Sequence, residues 1–197
     1  MGLMETRLSK AVLGINPSPT EATSFLANQM KMDGIDIISF AQGEPDFDTP
    51  LNISREAARA IDEGYTRYTD VPGMREVREA VAEKFEKENG IRYRPSEVMV
   101  SNRGKQVLYL LFRTICDPGD EVIVPTPCYV SYEEQIKLSG AVPVFAPTKK
   151  ENHFRLTRKD IEKFITPKTK AVLINSPNNP TGAVCEEKDL REITDLA

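Results

Sequence analysis

Short runs of valine and isoleucine, each followed by a helical pattern, constrain the fold of this chain more than any other feature. Apolar runs stand at 36–40, 97–101, 121–124, 142–146 and 171–175. Helical patterns cover about 20–32, then 53–63, 73–89, 106–116, 132–139 and 157–164, and begin again at 186. Strands that are apolar on both faces belong to parallel sheets covered by helices on both sides. The sequence therefore predicts an α/β fold built on a parallel sheet.

The mostly apolar helix at 106–116 is expected to be buried on most of its sides. Residues 1–50 are interpreted as an N-terminal arm with a segment of a small domain, and 51–197 as the first part of a large domain. The last residues, LREITDLA, break off inside a helical pattern without a C-cap. We expect a truncated chain from that ending.

Composition excludes several classes of partner. The net charge of −4 provides no basic face, so nucleic acid is not expected as a partner. No apolar run approaches the roughly 20 residues of a membrane span, and the first ten residues lack the apolar core of a signal peptide. A cytoplasmic protein that does not contact membranes is the resulting expectation.

The cysteines and the single histidine do not form a recognisable site. The chain has three cysteines, Cys116, Cys128 and Cys185, which is an odd number, and no two of them have C-x-x-C spacing. We therefore expect reduced thiols that have only a packing role. His153 lies in a polar stretch typical of a surface loop, and no metal cluster can be assembled around it.

The segment Ser101–Gln106 lies between a predicted strand and a predicted helix. Free amides at the start of a helix bind phosphate well, and Gly104 would let the backbone approach an anion closely. The alternative is that Gly104 is needed only for the geometry of the turn and that the segment binds no phosphate. The segment has neither the Walker spacing nor the G-x-G-x-x-G pattern of dinucleotide folds.

A second motif, Asn175–Gly182, directly follows a predicted strand, at the edge where open α/β sheets bind ligands. Two prolines and a glycine fix its backbone, and a rigid asparagine amide can donate to a ligand oxygen. Asn-Pro and Thr-Gly pairs also favour plain turns, but the length of the motif favours a site.

Two further segments carry aromatic side chains. Pro125–Tyr132 places Tyr129 directly after a predicted strand, where its ring can stack on a planar heterocycle. Gly64–Gly73 contains two tyrosines and Arg67 before a helix, and these can reach a phosphate. Taken singly, the first segment is also compatible with a core or surface tyrosine that binds no ligand, and the second with a loop that has no binding role.

Taken together and in order, these segments resemble the class I/II aminotransferases, nearest the aspartate or aromatic branch from bacteria and archaea, over essentially the whole chain. The shared patterns are Gln-Gly-Glu-Pro-Asp-Phe-Asp-Thr-Pro, Tyr-Thr-x-x-x-Gly, Ser-Asn-x-Gly-Lys-Gln, Pro-x-Pro-x-Tyr-x-Ser-Tyr and Asn-Asn-Pro-Thr-Gly. The resemblance implies the type I fold of enzymes that use pyridoxal 5′-phosphate (PLP). It also implies a homodimer in the full-length form, and amino acid and 2-oxo acid substrates.

The resemblance also assigns roles to individual residues. The amides of Arg103, Gly104 and Lys105 would hold the PLP phosphate, and Tyr129 would stack on the pyridine ring. Asn179 would hydrogen-bond the phenolic oxygen of the ring.

Two more roles lie earlier in the chain. Tyr68 would reach the phosphate of the neighbouring subunit, and Gly43 would let a substrate carboxylate approach the backbone. Thr126-Pro127 and Asn179-Pro180 are expected to be cis, as only about 5–6% of X-Pro bonds are.

The chain departs from the family pattern in three ways. Arg103 replaces a small residue and would either add a cation beside the phosphate or crowd it, and Tyr129 stands where many relatives have tryptophan. More seriously, no lysine is placed to bind PLP as a Schiff base, so no catalytic residue is assigned: Lys188 follows the Asn-Asn-Pro-Thr-Gly segment in a polar run, and Lys105 and Lys170 belong to other motifs.

We therefore predict an aminotransferase for which aspartate or an aromatic amino acid is the expected substrate, with this chain inactive alone. Two kinds of alternative remain open from the sequence. The chain is a non-catalytic PLP- or phosphate-binding module or interaction fragment, or the enzyme is a PLP lyase or synthase of the same fold.

Overall fold

The computed structural model describes residues 7–41 and 43–196. Gln42 of the first family pattern and most of the segment used for the signal-peptide prediction lie outside these ranges. The backbone divides into two compact units, Thr23–Gly104 and a second made of Met1–Ala22 with Lys105–Ala197. We call them the helical unit and the sheet unit. The domain boundary at residue 50 stays a prediction.

The sheet unit contains a three-stranded parallel sheet. Its strands are β1 (Glu121–Thr126), β2 (Val142–Pro147) and β3 (Thr169–Val172), in the order β2-β1-β3. Glu121 pairs with Val142 on one side of β1 and with Thr169 on the other, and the register against β3 shifts after Glu121. The α/β fold with a parallel sheet is confirmed.

The central strand β1 is buried on both of its faces. Val122, Ile123 and Val124 have no exposed surface, and alternate side chains of a strand point to opposite faces. Val122 and Val124 pack in one apolar cluster, whereas Ile123 packs in another. The prediction of a sheet covered on both sides is therefore correct for β1.

Each face of the sheet is covered by helices of the same unit. Phe112 of α5 (Arg103–Ile115) and Ile136 of α6 (Ser131–Leu138) pack in the cluster that contains Val122. Ile161 of α7 (Arg158–Ile161) and Ile193 of α8 (Glu187–Thr194) pack in the cluster that contains Ile123.

Local signals set several helix ends. Thr157 caps α7 with a capping box, in which its backbone amide and its hydroxyl both donate to Asp160 Oδ2, at 3.0 and 2.7 Å. A 3₁₀ turn, Glu162–Phe164, follows. The segment 7–22 adds the short α1 (Lys10–Leu13), which no pattern predicted.

The helical unit contains α3 (Leu51–Asp62), α4 (Arg75–Asn89) and most of α2 (Pro19–Met32). Gly90 ends α4 in the left-handed conformation at φ 67°, as the Asn-Gly stop signal predicts. Arg78 donates hydrogen bonds to the carbonyls of Gly73 and Pro95, at 3.1 and 3.2 Å, and so ties α4 to the segment that follows it.

Two predicted strands are absent from the described structure. Residues 36–40 form neither a helix nor a strand, and Ile38 and Phe40 are 81% and 94% exposed. Residues 98–101 follow a 3₁₀ turn, Pro95–Glu97. The Val98 amide bonds back to Pro95 of this turn, and the Val100 amide donates to the Pro72 carbonyl at 3.0 Å. An apolar run becomes a strand only when a neighbouring strand pairs with it, so these two predictions are wrong.

Two helix predictions also need correction. Helix α5 buries only Phe112, while Val107 and Leu111 are nearly half exposed, because the sheet covers one face of the helix alone. Helix α8 ends at Thr194 with Asp195 as its C-cap, rather than running to the last residue. Within the described ranges no helix is both long enough and apolar enough to cross a membrane.

Candidate functional site

The site is assembled at the carboxyl edge of the sheet. The segment containing Tyr129 follows β1, and the Asn-rich segment 175–182 follows β3. Helix α5 begins at Arg103 and packs on one face of the same sheet through Phe112. Ligands of open α/β sheets bind at this edge.

The first turn of α5 has the features of an anion-binding turn. Amides in the first turn of a helix have no partner within the helix, and the helix dipole favours negative charge there. A Cβ built on Gly104 meets no atom within 4 Å, so the space above this turn is open. Any side chain at position 104 would project into that open space.

Arg103 adds a cation at the same turn. Its φ of 64° lies in the left-handed region that favours glycine. Its side chain is exposed and makes no hydrogen bond or ion pair with residues 7–41 or 43–196. The guanidinium is therefore available to an external anion.

Lys105 and Tyr129 are brought together. The ammonium of Lys105 lies 5.6 Å from the centre of the Tyr129 ring and 3.9 Å from Glu21 Oε1. Tyr132, at the start of α6, meets the Tyr129 ring edge to face at 5.5 Å. Tyr129 thus contacts both a cation from the first turn of α5 and a second aromatic ring.

Local contacts change the acidity of two side chains in this loop. Hydrogen bonding to the side chain of Ser131, and secondarily to Lys105, holds the pKa of the Tyr129 phenol below its ordinary value. Burial raises the pKa of the neighbouring Cys128 thiol, and the charge of Glu133 adds to that effect. The Cys128 thiol is therefore a poor nucleophile.

The two asparagines of the segment after β3 have different environments. The side-chain amide of Asn178 donates to the Pro127 carbonyl at 3.0 Å and to Thr181 Oγ1 at 2.8 Å. Asn179 is exposed, and its backbone amide donates to Asn175 Oδ1 at 2.8 Å. Within 7–41 and 43–196 the side chain of Asn179 has no hydrogen-bond partner, so its amide is free to meet a ligand.

The backbone of both loops has cis proline bonds. Thr126-Pro127 and Asn179-Pro180 are cis, so both predictions are confirmed, and Ser176-Pro177 is cis as well. Beneath the loops lies a cavity of about 20 Å³, large enough for about one water molecule. Its walls include Cys128 and Cys185 and the side chains of Asn175 and Asn178.

Tyr68 and Gly43 belong to the helical unit. Tyr68 is fully exposed, with a relative accessibility of 108%. Gly43 is exposed, and a Cβ built on it meets no atom within 4 Å. Both positions are open to an external group.

The lysines considered from the sequence lie in unsuitable places for covalent binding of a ring at this edge. Lys188 is 78% exposed on α8, with its ammonium 3.8 Å from Glu192. Lys170 is exposed on β3. Lys105 stands over the ring of Tyr129 itself. Among residues 7–41 and 43–196, no three histidine, cysteine or acidic side chains converge to hold a metal ion.

Sequence reasoning missed two residues of this region. Asn178 has no role among the expectations from the sequence, although two adjacent asparagines between prolines indicate that one amide can fix the backbone of the loop. Gln135, on α6, donates to the Lys105 carbonyl at 2.7 Å. No sequence signal points to Gln135, because the bond exists only once α6 packs beside α5.

Comparison with known proteins identifies the family. The family model for aminotransferase class I and II matches residues 35–197. This chain belongs to the class I and II aminotransferases. Relatives of this chain include a probable aspartate/prephenate aminotransferase of Aquifex aeolicus, 48% identical over 98% of this chain and 49% of that protein. An aspartate aminotransferase of Bacillus subtilis is 43% identical over 96% of this chain and 48% of that protein.

Solved structures show the same fold. The aspartate aminotransferase of Thermus thermophilus with maleate superposes with a TM-score of 0.94 at 44% identity, over 96% of this chain and 50% of that one. An alanine aminotransferase from Pyrococcus furiosus superposes with a TM-score of 0.90 at 35% identity, over 97% and 49%. The type I fold is thus shown, and the chain spans about half the length of these relatives.

The residues of the sheet edge fit the cofactor of this family. A helix start with an open glycine suits a phosphate, the half-buried side chain of Tyr129 suits a flat ring, and the free amide of Asn179 suits a ring oxygen. These three groups therefore fit the phosphate, the ring face and the phenolic oxygen of PLP.

Proposed function

We propose that this chain is the cofactor-holding part of a PLP-dependent aminotransferase, which moves the amino group of an amino acid to a 2-oxo acid. The observation that carries the proposal is the convergence, at one sheet edge, of the first turn of α5, the Tyr129 loop and the Asn179 loop. The Lys105–Tyr129 contact and the Asn178–Pro127 hydrogen bond join these parts. When bound, PLP supplies a ring that withdraws electrons from the Cα of the substrate.

In this proposal each residue has a defined task. The amides of Arg103, Gly104 and Lys105 bind the phosphate, and the Arg103 guanidinium adds a charge-assisted contact. Tyr129 holds the ring by its face, and the side chain of Asn179 donates to the phenolic oxygen. Gly43 keeps a space open for the substrate carboxylate.

Aspartate is the amino donor we favour. The relatives at 43–48% identity are named for aspartate, and some of them also for prephenate. The Thermus thermophilus structure contains maleate, which is a four-carbon dicarboxylate like aspartate. Aromatic amino acids are the second substrate class of the proposal, because the prephenate names point to bulkier substrates.

The chain by itself is proposed not to transaminate, since Lys188 is on an exposed helix face, Lys170 is on β3 and Lys105 is beside Tyr129. The test is a coupled assay of the 197-residue chain with PLP, aspartate and 2-oxoglutarate. No turnover above that of free PLP is expected. Turnover that scales with the concentration of the chain would contradict this part of the proposal.

A homodimer of the whole protein is part of the same proposal. Tyr68 and Val71 in the helical unit are 108% and 95% exposed, and an aromatic side chain so open to solvent is suited to a partner surface. Light scattering of the chain and of its Tyr68→Ala and Val71→Ser variants tests this. A dimer that weakens in the variants supports the proposal, and a strict monomer at all concentrations contradicts it for this chain.

We place the protein in the cytoplasm. Cys116, Cys128 and Cys185 are all free in the structure, and unpaired thiols persist in a reducing compartment. Fractionation of cells that produce the protein tests the placement.

A further inference from the structure

Gln135 links the two segments that are proposed to hold the cofactor. It lies on α6, is only 8% exposed, and its side-chain amide donates to the Lys105 carbonyl at 2.7 Å. The bond spans 30 residues of sequence. Lys105 lies in the first turn of α5, and α6 begins two residues after Tyr129.

The other end of the same side chain is poorly satisfied. The Oε1 atom of Gln135 is buried and has no hydrogen-bond partner among the described residues. A buried acceptor without a partner lowers stability. An apolar side chain of similar shape would avoid this cost, so stability alone does not explain a glutamine at this position.

The bond acts on the turn where the phosphate is proposed to bind. The Lys105 carbonyl already accepts from the helix, and a second donor from α6 fixes the orientation of that peptide group. The same helix contacts the cofactor loop, because Tyr132 packs against the ring of Tyr129 at 5.5 Å. Helix α6 thus sets the spacing between the ring-binding and phosphate-binding segments.

We infer that Gln135 is a positioning residue, which holds the first turn of α5 in register with Tyr129 so that a phosphate and a ring of one ligand are bound together. This inference rests on the proposed function, because it assumes that the first turn of α5 holds a phosphate. Gln135 touches no ligand itself and acts through the Lys105 carbonyl.

The test compares pyridoxine 5′-phosphate with pyridoxine, two ligands that differ only in the phosphate and carry no aldehyde to react with surface lysines. Their dissociation constants are measured by equilibrium dialysis for the wild-type chain, Gln135→Met and Lys137→Met. Lys137→Met is the matched control: it lies on the same helix and loses only ion pairs with Glu133 and Glu134. Melting temperatures are measured on the same samples.

We expect Gln135→Met to melt at the wild-type temperature or above, since the buried unpaired acceptor is removed. Its affinity for pyridoxine 5′-phosphate should fall by about fivefold, the loss of roughly one ordinary hydrogen bond, while its affinity for pyridoxine stays unchanged. Lys137→Met should bind both ligands as the wild type does. Should Gln135→Met fail to fold, Gln135→Asn, whose shorter amide cannot reach the Lys105 carbonyl, takes its place with the same expectation.

Two results overturn the inference separately from the function. Unchanged phosphate preference in a folded Gln135 variant shows that the bond does not position the turn. Equal loss of both ligands together with a lower melting temperature shows a purely structural role. A wild-type chain that binds pyridoxine as tightly as its phosphate would instead remove the phosphate site, and with it the proposed function on which the inference rests.

Discussion

The side-chain amide of Asn178 donates to the carbonyl oxygen of Pro127 at 3.0 Å and so joins the loop after β3 to the loop after β1. The second bond of the same amide, to Thr181 Oγ1 at 2.8 Å, uses its remaining hydrogen. The neighbouring Asn179 side chain makes no hydrogen bond with the described residues. Of two adjacent asparagines, one therefore fixes the loop and the other is available to a ligand.

Alanine substitutions at these two positions should affect different properties, stability at Asn178 and ligand binding at Asn179. Asn178→Ala removes two hydrogen bonds and should lower the free energy of unfolding by about 1–3 kcal/mol. Asn179→Ala should leave the melting temperature unchanged and weaken binding of pyridoxine 5′-phosphate. Thermal melts and ligand titrations of both variants measure this, and equal destabilisation by the two substitutions would contradict the division of roles.

Arg103→Gly tests a residue whose backbone is held at an unfavourable φ of 64°. A non-glycine residue in the left-handed region costs about 1–2 kcal/mol of stability. Replacing it with glycine removes this cost, but the greater freedom of glycine in the unfolded chain offsets roughly half of the gain. We expect a slightly higher melting temperature in Arg103→Gly, together with weaker phosphate binding that depends less on salt. Tighter binding in the variant would show that Arg103 crowds the phosphate instead of contacting it.

The ionisation of Tyr129 offers a test by pH. Hydrogen bonding to Ser131 is the largest cause of its lowered pKa, so Ser131→Ala should move the titration of this phenol back towards the ordinary value of about 10. A lowered folded pKa stabilises only at alkaline pH, and this contribution is lost as the pH falls through the folded pKa. The wild type should therefore gain stability over Ser131→Ala as the pH rises past that point. Ultraviolet titration against a Tyr129→Phe control measures the shift, and an unchanged titration would contradict the assignment.

A buried ion pair on the other face of the sheet predicts an asymmetric pair of variants. Arg155 donates to both carboxylate oxygens of Asp189, at 2.6 and 3.3 Å, and the side chain of Asp189 is only 5% exposed. Arg155→Met leaves that carboxylate without its main partner in a buried position and should lower the free energy of unfolding more than Asp189→Asn does. Asp189→Asn leaves Arg155 35% exposed and still paired with Glu186, and should cost about 1–3 kcal/mol. Denaturant unfolding measures the free energy of unfolding of both variants. Equal losses in the two variants would contradict the expectation that an unpaired buried carboxylate is the more costly.

Periodicity predicts the parts of this fold whose partners are present in the described chain. The runs that became β2 and β3 each pair with the one that became β1, and Ile123 of this central strand is fully buried. The run at 36–40 is also rich in apolar residues but has no strand beside it among the described residues, and Phe40 is exposed. A one-dimensional pattern records that a segment is apolar and does not record whether another strand lies beside it.

The candidate site is predicted from the sequence to the extent that its residues follow local motifs. The position of Tyr129 directly after the run that became β1 leads to the sheet edge, whereas Gly104 reaches it only through the start of α5, because the strand predicted before it does not form. The contact between Lys105 and the Tyr129 ring and the bond from Gln135 to the Lys105 carbonyl depend on how α5 and α6 pack. No spacing in the sequence encodes such contacts, so they emerge only in three dimensions.

The most direct test of the central claim is the difference in affinity of the chain for pyridoxine 5′-phosphate and for pyridoxine, measured for the wild type and for Gly104→Ala. Because a Cβ at position 104 meets no protein atom within 4 Å, Gly104→Ala should fold normally and place a methyl group where the phosphate is proposed to bind. The account predicts that the wild type prefers the phosphate ester by at least about tenfold, or 1.4 kcal/mol, and that Gly104→Ala loses most of this preference. Equal affinities of the wild type for the two ligands would contradict it.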